Sequence, residues 1–383
     1  MSSPKPVTMK EIAELAGVSR PAVSAVLNNR HDSSIKVSKE KRERILDLAR
    51  NLKYRPNFSA VQLTGKRDRS IGIISGCYQT GVNSEFNRQL AIKLRVENYQ
   101  AYFVGVTDPK HELDTINDFI SRGMSGIISN YTLNNIRQKD YPIPMVFVSE
   151  RMKDHDIITD LELGGYAMTR HLIDHGHRRI VFACSQLRYN EMKYAGFQRA
   201  CREAALPVPE KDILEFSWNA GFAEQIDHLI REKKVTAFFL NGDLLAGEFM
   251  AWLQDHGYRV PEDIAIAGCD GLEIANIMRV PLTTIIQPVR KLAEQAVGIL
   301  LDKIEGHRCG RIADPVRVEP EFRLSRSCGC PAHDKKHILW EWLPISLERT
   351  GQNIKPLPPQ FHGNDGVLSL KELTNRNTGG IRK

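Results

Sequence analysis

Long apolar runs are missing from this 383-residue sequence. No stretch approaches the roughly 18 to 20 apolar residues that a helix needs to cross a bilayer, and Met1–Lys10 lacks the apolar core of a secretion signal. The chain is therefore expected in the cytoplasm, without a membrane partner. Cysteine is sparse: seven residues (Cys77, Cys184, Cys201, Cys269, Cys309, Cys328, Cys330), odd in number and scattered. That usage suits reduced thiols better than a disulfide framework. A glycine-rich phosphate loop, a nucleophile elbow and a clustered acid-base pair are also missing, so no enzyme activity is expected.

What is present is uneven. Residues 1–70 carry fifteen Lys and Arg against seven Asp and Glu, an excess of +8, while the whole chain sums to +7. Everything after Ser70 is thus near neutral at −1. A small basic module on a large neutral body is the footprint of a protein that holds DNA at one end and senses something else at the other.

The basic module has the pattern of a helix-turn-helix from Thr8 to Asn28. Thr8-Met9-Lys10-Glu11 has capping-box spacing, and Ile12, Ala13, Leu15 and Ala16 supply an apolar face, so a first helix is expected over Met9–Ala16. Gly17 tolerates a left-handed turn, and Ser19 can cap a second helix whose first turn admits Pro21. In that helix, Arg20–Leu27, the residues Val23, Val26 and Leu27 face inward. Arg20, Ala22, Ser24 and Ala25 face outward, on a surface slim enough for a major groove. A third helix begins after Ser38, with Ile45, Leu48, Ala49 and Leu52 on its buried side.

Met9-Lys10-Glu11-Ile12-Ala13, Ala16-Gly17-Val18-Ser19, Val37 to Ile45, Tyr54-Arg55-Pro56-Asn57 and Gly65-Lys66-Arg67 resemble, in order and spacing, the LacI family of bacterial transcription regulators. The resemblance implies a helix-turn-helix domain over residues 1–56 and a hinge helix and linker over 57–70. It places Thr8, Ser19, Arg20, Ala22, Ser24, Asn28, Arg30, Tyr54, Asn57, Ala60 and Leu63 at the DNA. Leu63 matches an apolar wedge for the minor groove, and Ala60, one turn earlier, lets paired hinges approach. Two departures stand out. Ala25 replaces an Arg that commonly reads guanine, leaving Arg20 as the better bidentate donor, with Ala22 able to touch a thymine methyl. Val61 stands where the hinge often has a polar or basic residue.

From Ile71 onward, short apolar runs alternate with amphipathic helices, the signature of parallel sheets covered on both faces. Strands are expected at Ile71–Ser75, Tyr102–Val106, Gly126–Ser129, Met145–Val148, Ile180–Ala183, Ala237–Leu240 and Ile264–Gly268. Helices are expected at Asn87–Asn98, Leu113–Ser121, Gly165–His175, Lys193–Ala205, Gly221–Lys233, Leu245–Gly257 and Val289–Glu305. These units are too many for one sheet, so two lobes with a ligand cleft follow. The fold class is thus α/β, an all-α head followed by two doubly wound parallel sheets. The stretch 71–327 resembles the periplasmic-binding-protein-like core of the LacI family, which serves effector binding and dimerisation; the signature includes His171 to Ile180, Gly196-Phe197, Gly268-Cys269-Asp270 and Pro281 to Pro288.

Carried over position by position, that resemblance gives seven effector residues: Phe86, Glu150, Arg151, Lys193, Trp218, Asp243 and Asp270. Glu150-Arg151 replaces the family's Asp-Arg, Lys193 stands for an Arg, and Asn241-Gly242-Asp243 replaces Asn-Asp. Trp218 and Phe86 supply stacking faces for a pyranose, and the mix of carboxylates and aromatics points to a sugar. No cofactor is expected. His171 and His175 lie one helical turn apart without the carboxylate of a known zinc motif, and the resemblance makes them structural. Cys328-Gly329-Cys330, followed by His333 and His337, lacks a second tight pair, so no metal is expected there either.

Residues 328–383 fall outside the resemblance; they hold Lys355-Pro-Leu-Pro-Pro359, a candidate helix over Val367–Leu373, and no leucine heptad. The partners implied are double-stranded operator DNA, a small effector and a second copy of the chain, joined through the helices at Asn87–Asn98 and Leu113–Ser121. The expected function is a repressor on a near-palindromic operator, with a ligand-dependent activator and a sugar-binding receptor as alternatives.

Overall fold

A computed structural model describes residues 7–27, 35, 37–52, 54, 69–76, 81–131, 136, 138–149, 155–185, 187, 190–207, 213–215, 222–307, 314–330 and 367–369. The chain divides into two compact units, Met1–Asp68 and Arg69–Lys383.

The first unit is a three-helix head: α1 (Met9–Ala16), α2 (Arg20–Leu27) and α3 (Lys39–Asn51). Local chemistry sets each start. The Glu11 amide donates to Thr8 Oγ1 at 3.3 Å while the Thr8 amide donates to Glu11 Oε2 at 2.7 Å, closing the capping box. Ser38 Oγ accepts from the Lys41 amide at 3.4 Å to start α3. Gly17, at φ 65°, ends α1 in the left-handed region that a side chain would oppose. Ile12, Ala13, Ala16, Val23, Val26 and Ile45 form the core. Leu15 is not part of the apolar face expected of it and is exposed; its carbonyl instead accepts from Arg44 Nη2 at 3.1 Å, tying α3 to α1.

The second unit contains two sheets. Its elements are β1 (Ser70–Gly76), α4 (Gly81–Val96), β2 (Gln100–Val106), α5 (Pro109–Ser121), β3 (Gly126–Ser129), β4 (Met145–Ser149) and β5 (Ile157–Thr159), then α6 (Leu161–Asp174), β6 (Ile180–Cys184), α7 (Glu191–Glu203), β7 (Ile213–Glu215) and α8 (Phe222–Arg231). There follow β8 (Ala237–Leu240), α9 (Asp243–Asp255), β9 (Ala265–Asp270), α10 (Ile274–Ile277), β10 (Thr283–Ile286), α11 (Val289–Glu305), β11 (Val316–Val318), β12 (Glu321–Arg323) and β13 (Val367–Leu368). The N-terminal lobe has sheet order β11-β5-β4-β3-β1-β2, all parallel. The C-terminal lobe has order β13-β12-β10-β9-β8-β6-β7, parallel from β10 to β7 and antiparallel across β12 and β13.

All seven expected strands of the body are present. The chain leaves the first sheet after β5, returns through α11, and crosses again between β11 and β12. Helix α11 buries Leu292, Ala296, Val297 and Leu300 against the N-terminal lobe. A buried ion pair locks it there: Lys303 Nζ meets Asp156 Oδ1 at 3.1 Å and donates to the Met145 carbonyl at 2.7 Å, while Asp156 Oδ2 accepts from the Phe147 amide at 2.9 Å. Every charge-bearing atom of the pair thus has a partner, which offsets its desolvation.

Helices α6 and α7 pack backbone to backbone. A Cβ on Gly196 would overlap the Glu162 carbonyl oxygen, and one on Gly165 would overlap that of Lys193. The tail brings a correction: the segment expected as a helix from Val367 instead supplies β13, pairing with Phe322 and Arg323 of β12. It covers the free edge of β12, where the hydrogen-bonding groups of the strand would otherwise be open.

Candidate DNA-reading head and effector cleft

In the head, Arg20 opens α2 and is exposed, and Ser19 Oγ accepts from the Ala22 amide at 3.4 Å to cap the helix. Tyr54 packs on the head core, and burial raises its phenol pKa while the nearby Arg20 charge opposes the rise. The tyrosine thus neighbours Arg20, the residue expected to read the DNA. Thr8 is exposed at the start of α1, next to amides that a phosphate could share.

Two expected outward positions are corrected. Ala22 is 7% exposed and Ala25 8%, because each lacks the length to emerge between the neighbouring turns. The open surface of α2 is therefore Arg20 and Pro21, with Ser24 half-buried. Asn28, Arg30, Asn57, Ala60 and Leu63 lie outside the described residues.

The cleft of the body is lined at the carboxyl ends of strands from both lobes. On the N-terminal side Asn87 donates from Nδ2 to Ser75 Oγ at 3.1 Å, and Asn130 donates to Asn87 Oδ1 at 3.5 Å. On the C-terminal side Lys193 Nζ donates to the Asn241 carbonyl at 3.1 Å and to Asn190 Oδ1 at 3.4 Å, and Asn241 Nδ2 donates to Asn190 Oδ1 at 3.3 Å. Gln287 Nε2 donates to Asp270 Oδ1 at 3.1 Å. The lobes meet beside these groups, where a Cβ on Gly81 would lie 2.6 Å from Leu272 Cδ2. Two buried acceptors, Asn130 Oδ1 and Asn241 Oδ1, have no hydrogen-bond partner among the described residues. Unpaired buried acceptors at a cleft call for a donor from outside.

Asp270 holds a strained backbone at φ 120°, the kind of cost that persists where neighbours over-determine it. Its carboxylate leans over Gly242, where a Cβ would come 3.2 Å from Asp270 Oδ2. The missing side chain at 242 is thus filled by Asp270.

Three effector assignments change character. Phe86 does not reach a ligand: α4 begins at Gly81, six residues earlier than expected, and helical spacing aligns Phe86, Leu90 and Leu94 into the core with Ile71 and Ile73. Asp243 is fully buried, its oxygens taken by the Leu272 amide at 2.7 Å and the Thr284 hydroxyl at 2.5 Å. It positions the loop after β9 and so Asp270, and burial together with the Asp270 charge pushes its pKa up to about 8. Lys193, 3% exposed, braces Asn190 and Asn241 from behind. Glu150, Arg151 and Trp218 lie outside the described residues. Sequence reasoning missed Asn87, Asn130, Asn190 and Gln287; an amide beside the apolar stripe of α4 was the one available signal for Asn87.

His171, His175, Cys328 and Cys330, none of them expected as metal ligands, come together in the fold, with one donor atom of each within 4.8 Å of the others.

A helix-turn-helix head carried with a two-lobed, ligand-cleft body defines a DNA-binding transcription regulator. The family description "Bacterial regulatory proteins, lacI family" matches residues 8–57, and "Periplasmic binding protein-like domain" matches residues 169–326. The HTH-type transcriptional repressor PurR of Vibrio parahaemolyticus serotype O3:K6 is 32% identical over 319 residues, 78% of this chain and 92% of that relative. PurR of Haemophilus influenzae (strain PittEE) is 30% identical over 334 residues, 84% of this chain and 98% of the relative. The structure of the Lac repressor dimer bound to operator and the anti-inducer ONPF shares the fold, with a TM-score of 0.72 at 24% identity over 85% of this chain and 99% of that one. The chain belongs to the LacI family of bacterial regulatory proteins, DNA-binding transcriptional repressors and not enzymes. Among the described residues no helix is long and apolar enough to cross a membrane.

Proposed function

We propose that the protein is a repressor that grips a near-palindromic operator as a homodimer and responds to a small neutral sugar in the interlobe cleft. The observation that carries the ligand class is the pair of unpartnered acceptors, Asn130 Oδ1 and Asn241 Oδ1, one from each lobe. Hydroxyl groups donate to both, and a ligand that bridges them favours the closed lobes. Dimerisation is supported by the apolar side chains exposed on α4 and the edge strand β2: Ile92, Val96, Tyr102 and Phe103. These belong to the expected helix Asn87–Asn98 and its neighbouring strand. Effector and operator affinities are linked, so each changes the other by the same factor.

Selection of the full-length protein against random duplex DNA tests the reading. The expected yield is a two-fold symmetric site of about 14 to 20 base pairs, two half-sites about one to two helical turns apart. Arg20→Ala then relaxes preference at one base pair per half-site by about 1 to 3 kcal/mol; uniform weakening on every sequence would move Arg20 to a phosphate. Titration of that operator with a panel of neutral sugars should find one that shifts affinity by about 5-fold or more. A response to anions and to no sugar overturns the ligand class.

A further inference from the structure

We propose that His171, His175, Cys328 and Cys330 form a tetrahedral site for a structural zinc ion that clamps the end of the body onto α6. The two pairs lie far apart in the sequence, on the last turn of α6 and on the short turn Arg326–Cys328 with the residues after it. Folding brings one donor atom of each to within 4.8 Å of all the others. His171 Nε2 is 3.3 Å from Cys328 Sγ and 3.7 Å from Cys330 Sγ, and His175 Nε2 is 3.3 Å from Cys330 Sγ.

These three separations match edges of a zinc tetrahedron. Zinc bonds of about 2.3 Å to sulfur and about 2.0 Å to nitrogen set neighbouring ligand atoms about 3.3 to 3.8 Å apart. Two thiolates and two imidazoles complete four-coordination from protein alone, which is the composition of a closed structural site and suits zinc among the common divalent metals.

The surroundings orient His175 and Cys328 as a metal requires, while the buried Nδ1 of His171 has no hydrogen-bond partner among the described residues. His175 Nδ1 donates to the His171 carbonyl at 3.0 Å, which fixes the proton on Nδ1 and leaves the Nε2 lone pair aimed at the sulfurs. The buried Thr283 hydroxyl lies 2.9 Å from Cys328 Sγ and can donate to a thiolate. Ser327, immediately before Cys328, is anchored to the sheet: its Oγ donates to the Ile266 carbonyl at 2.6 Å and accepts from the Thr283 amide at 2.8 Å. Cys328 and Cys330 are therefore held on the same side of a fixed turn.

Location separates this site from the effector cleft. The cluster lies at the amino ends of β6, β9 and β10, whereas Asn241, Asp270 and Gln287 lie at the carboxyl ends of the same sheet. A ligand in the cleft does not reach it. Its role is to tie residues 325–330, and with them the exit of the chain, to helix α6.

The test is the metal content of the full-length protein after reduction, reconstitution with zinc and gel filtration. The expected result is about one zinc per chain, since four protein donors close one site. Cobalt substitution should give the sulfur-to-cobalt charge-transfer band and the intense visible bands of a tetrahedral centre. Cys330→Ser and His175→Ala, at the more exposed corners, should each lose most of the bound metal while keeping the far-ultraviolet dichroism of the parent. Chelation should lower the melting temperature of the parent and leave that of Cys330→Ser unchanged. A reduced protein that takes up no zinc, a weak octahedral cobalt spectrum, or undiminished zinc in both variants overturns the proposal. So does a stable Cys328–Cys330 disulfide that persists through reduction.

Discussion

At the carboxyl end of the C-terminal lobe's sheet, Lys193, Asn190, Asn241, Asp270 and Gln287 share long hydrogen bonds between 3.1 and 3.4 Å, one unpaired acceptor and a strained backbone at Asp270. At the amino end, two imidazoles and two thiols converge, with one donor atom of each within 4.8 Å of the others and three of the separations at 3.3 to 3.7 Å. The first cluster is polar, neutral on balance and leaves a buried acceptor open to the proposed effector. The second is a closed set of soft donors suited to a resident ion. One sheet therefore carries an adjustable end and a fixed end, and the α6–α7 seam runs between them because α7 presents Lys193 to one and α6 presents His171 and His175 to the other.

The largest expected effect comes from breaking that seam. Gly196→Val forces a side chain into the Glu162 carbonyl, which is backbone and cannot swing aside, so the helices must separate. A cost of about 5 kcal/mol or more is expected, since the clash is with backbone, and both ends should fail together: effector response lost by titration and zinc uptake lost by metal analysis. A variant that loses only one of the two would uncouple the ends.

Phe86→Ala comes next and tests the contrast between lobes. Removing a ring packed on Ile71 and Leu90 should cost about 3 to 5 kcal/mol in chemical denaturation. The folded fraction should keep its ligand preference; an altered preference would return Phe86 to the cleft.

Asp243→Asn has the smallest effect and sharpens the adjustable end alone. Between the ordinary carboxylate value of 3.8 and about 8, the folded protein keeps a proton on Asp243 that the unfolded chain releases. Its contribution to stability is complete at acid pH and is lost as pH rises through about 8. Melting curves at pH values across that window should show the parent declining more steeply than Asp243→Asn, with zinc content the same in both. Parallel declines would mean the carboxyl is ionised throughout.

The helices of the head were legible in the sequence, although the facing of Leu15, Ala22 and Ala25 was not. Helices α1 and α2 have the expected bounds, because a capping box, a left-handed glycine and a serine cap all act within one turn. The body's strands were legible where they are apolar, as at Ile71–Ser75, but β5, β11 and β12 are three residues long and owe their existence to pairing with distant strands. Within the cleft, residue type carried Asp270 to its end of the sheet. It gave the wrong reading of Phe86, since a helix that begins six residues earlier than expected takes Phe86 into its apolar stripe with Leu90 and Leu94.

Charge segregation, the periodicities of helix and strand, and the family motifs are properties of neighbouring residues, and the sequence alone determined the regulator class from them. Burial of Ala22 and Asp243, the paired acceptors across the cleft, the edge strand β13 and the four-donor cluster were decided only by the tertiary structure. The physical reason is the range of the interactions. Caps and amphipathic stripes act over one to four residues, while His171 and Cys328 meet across a separation of 157 that no local spacing records.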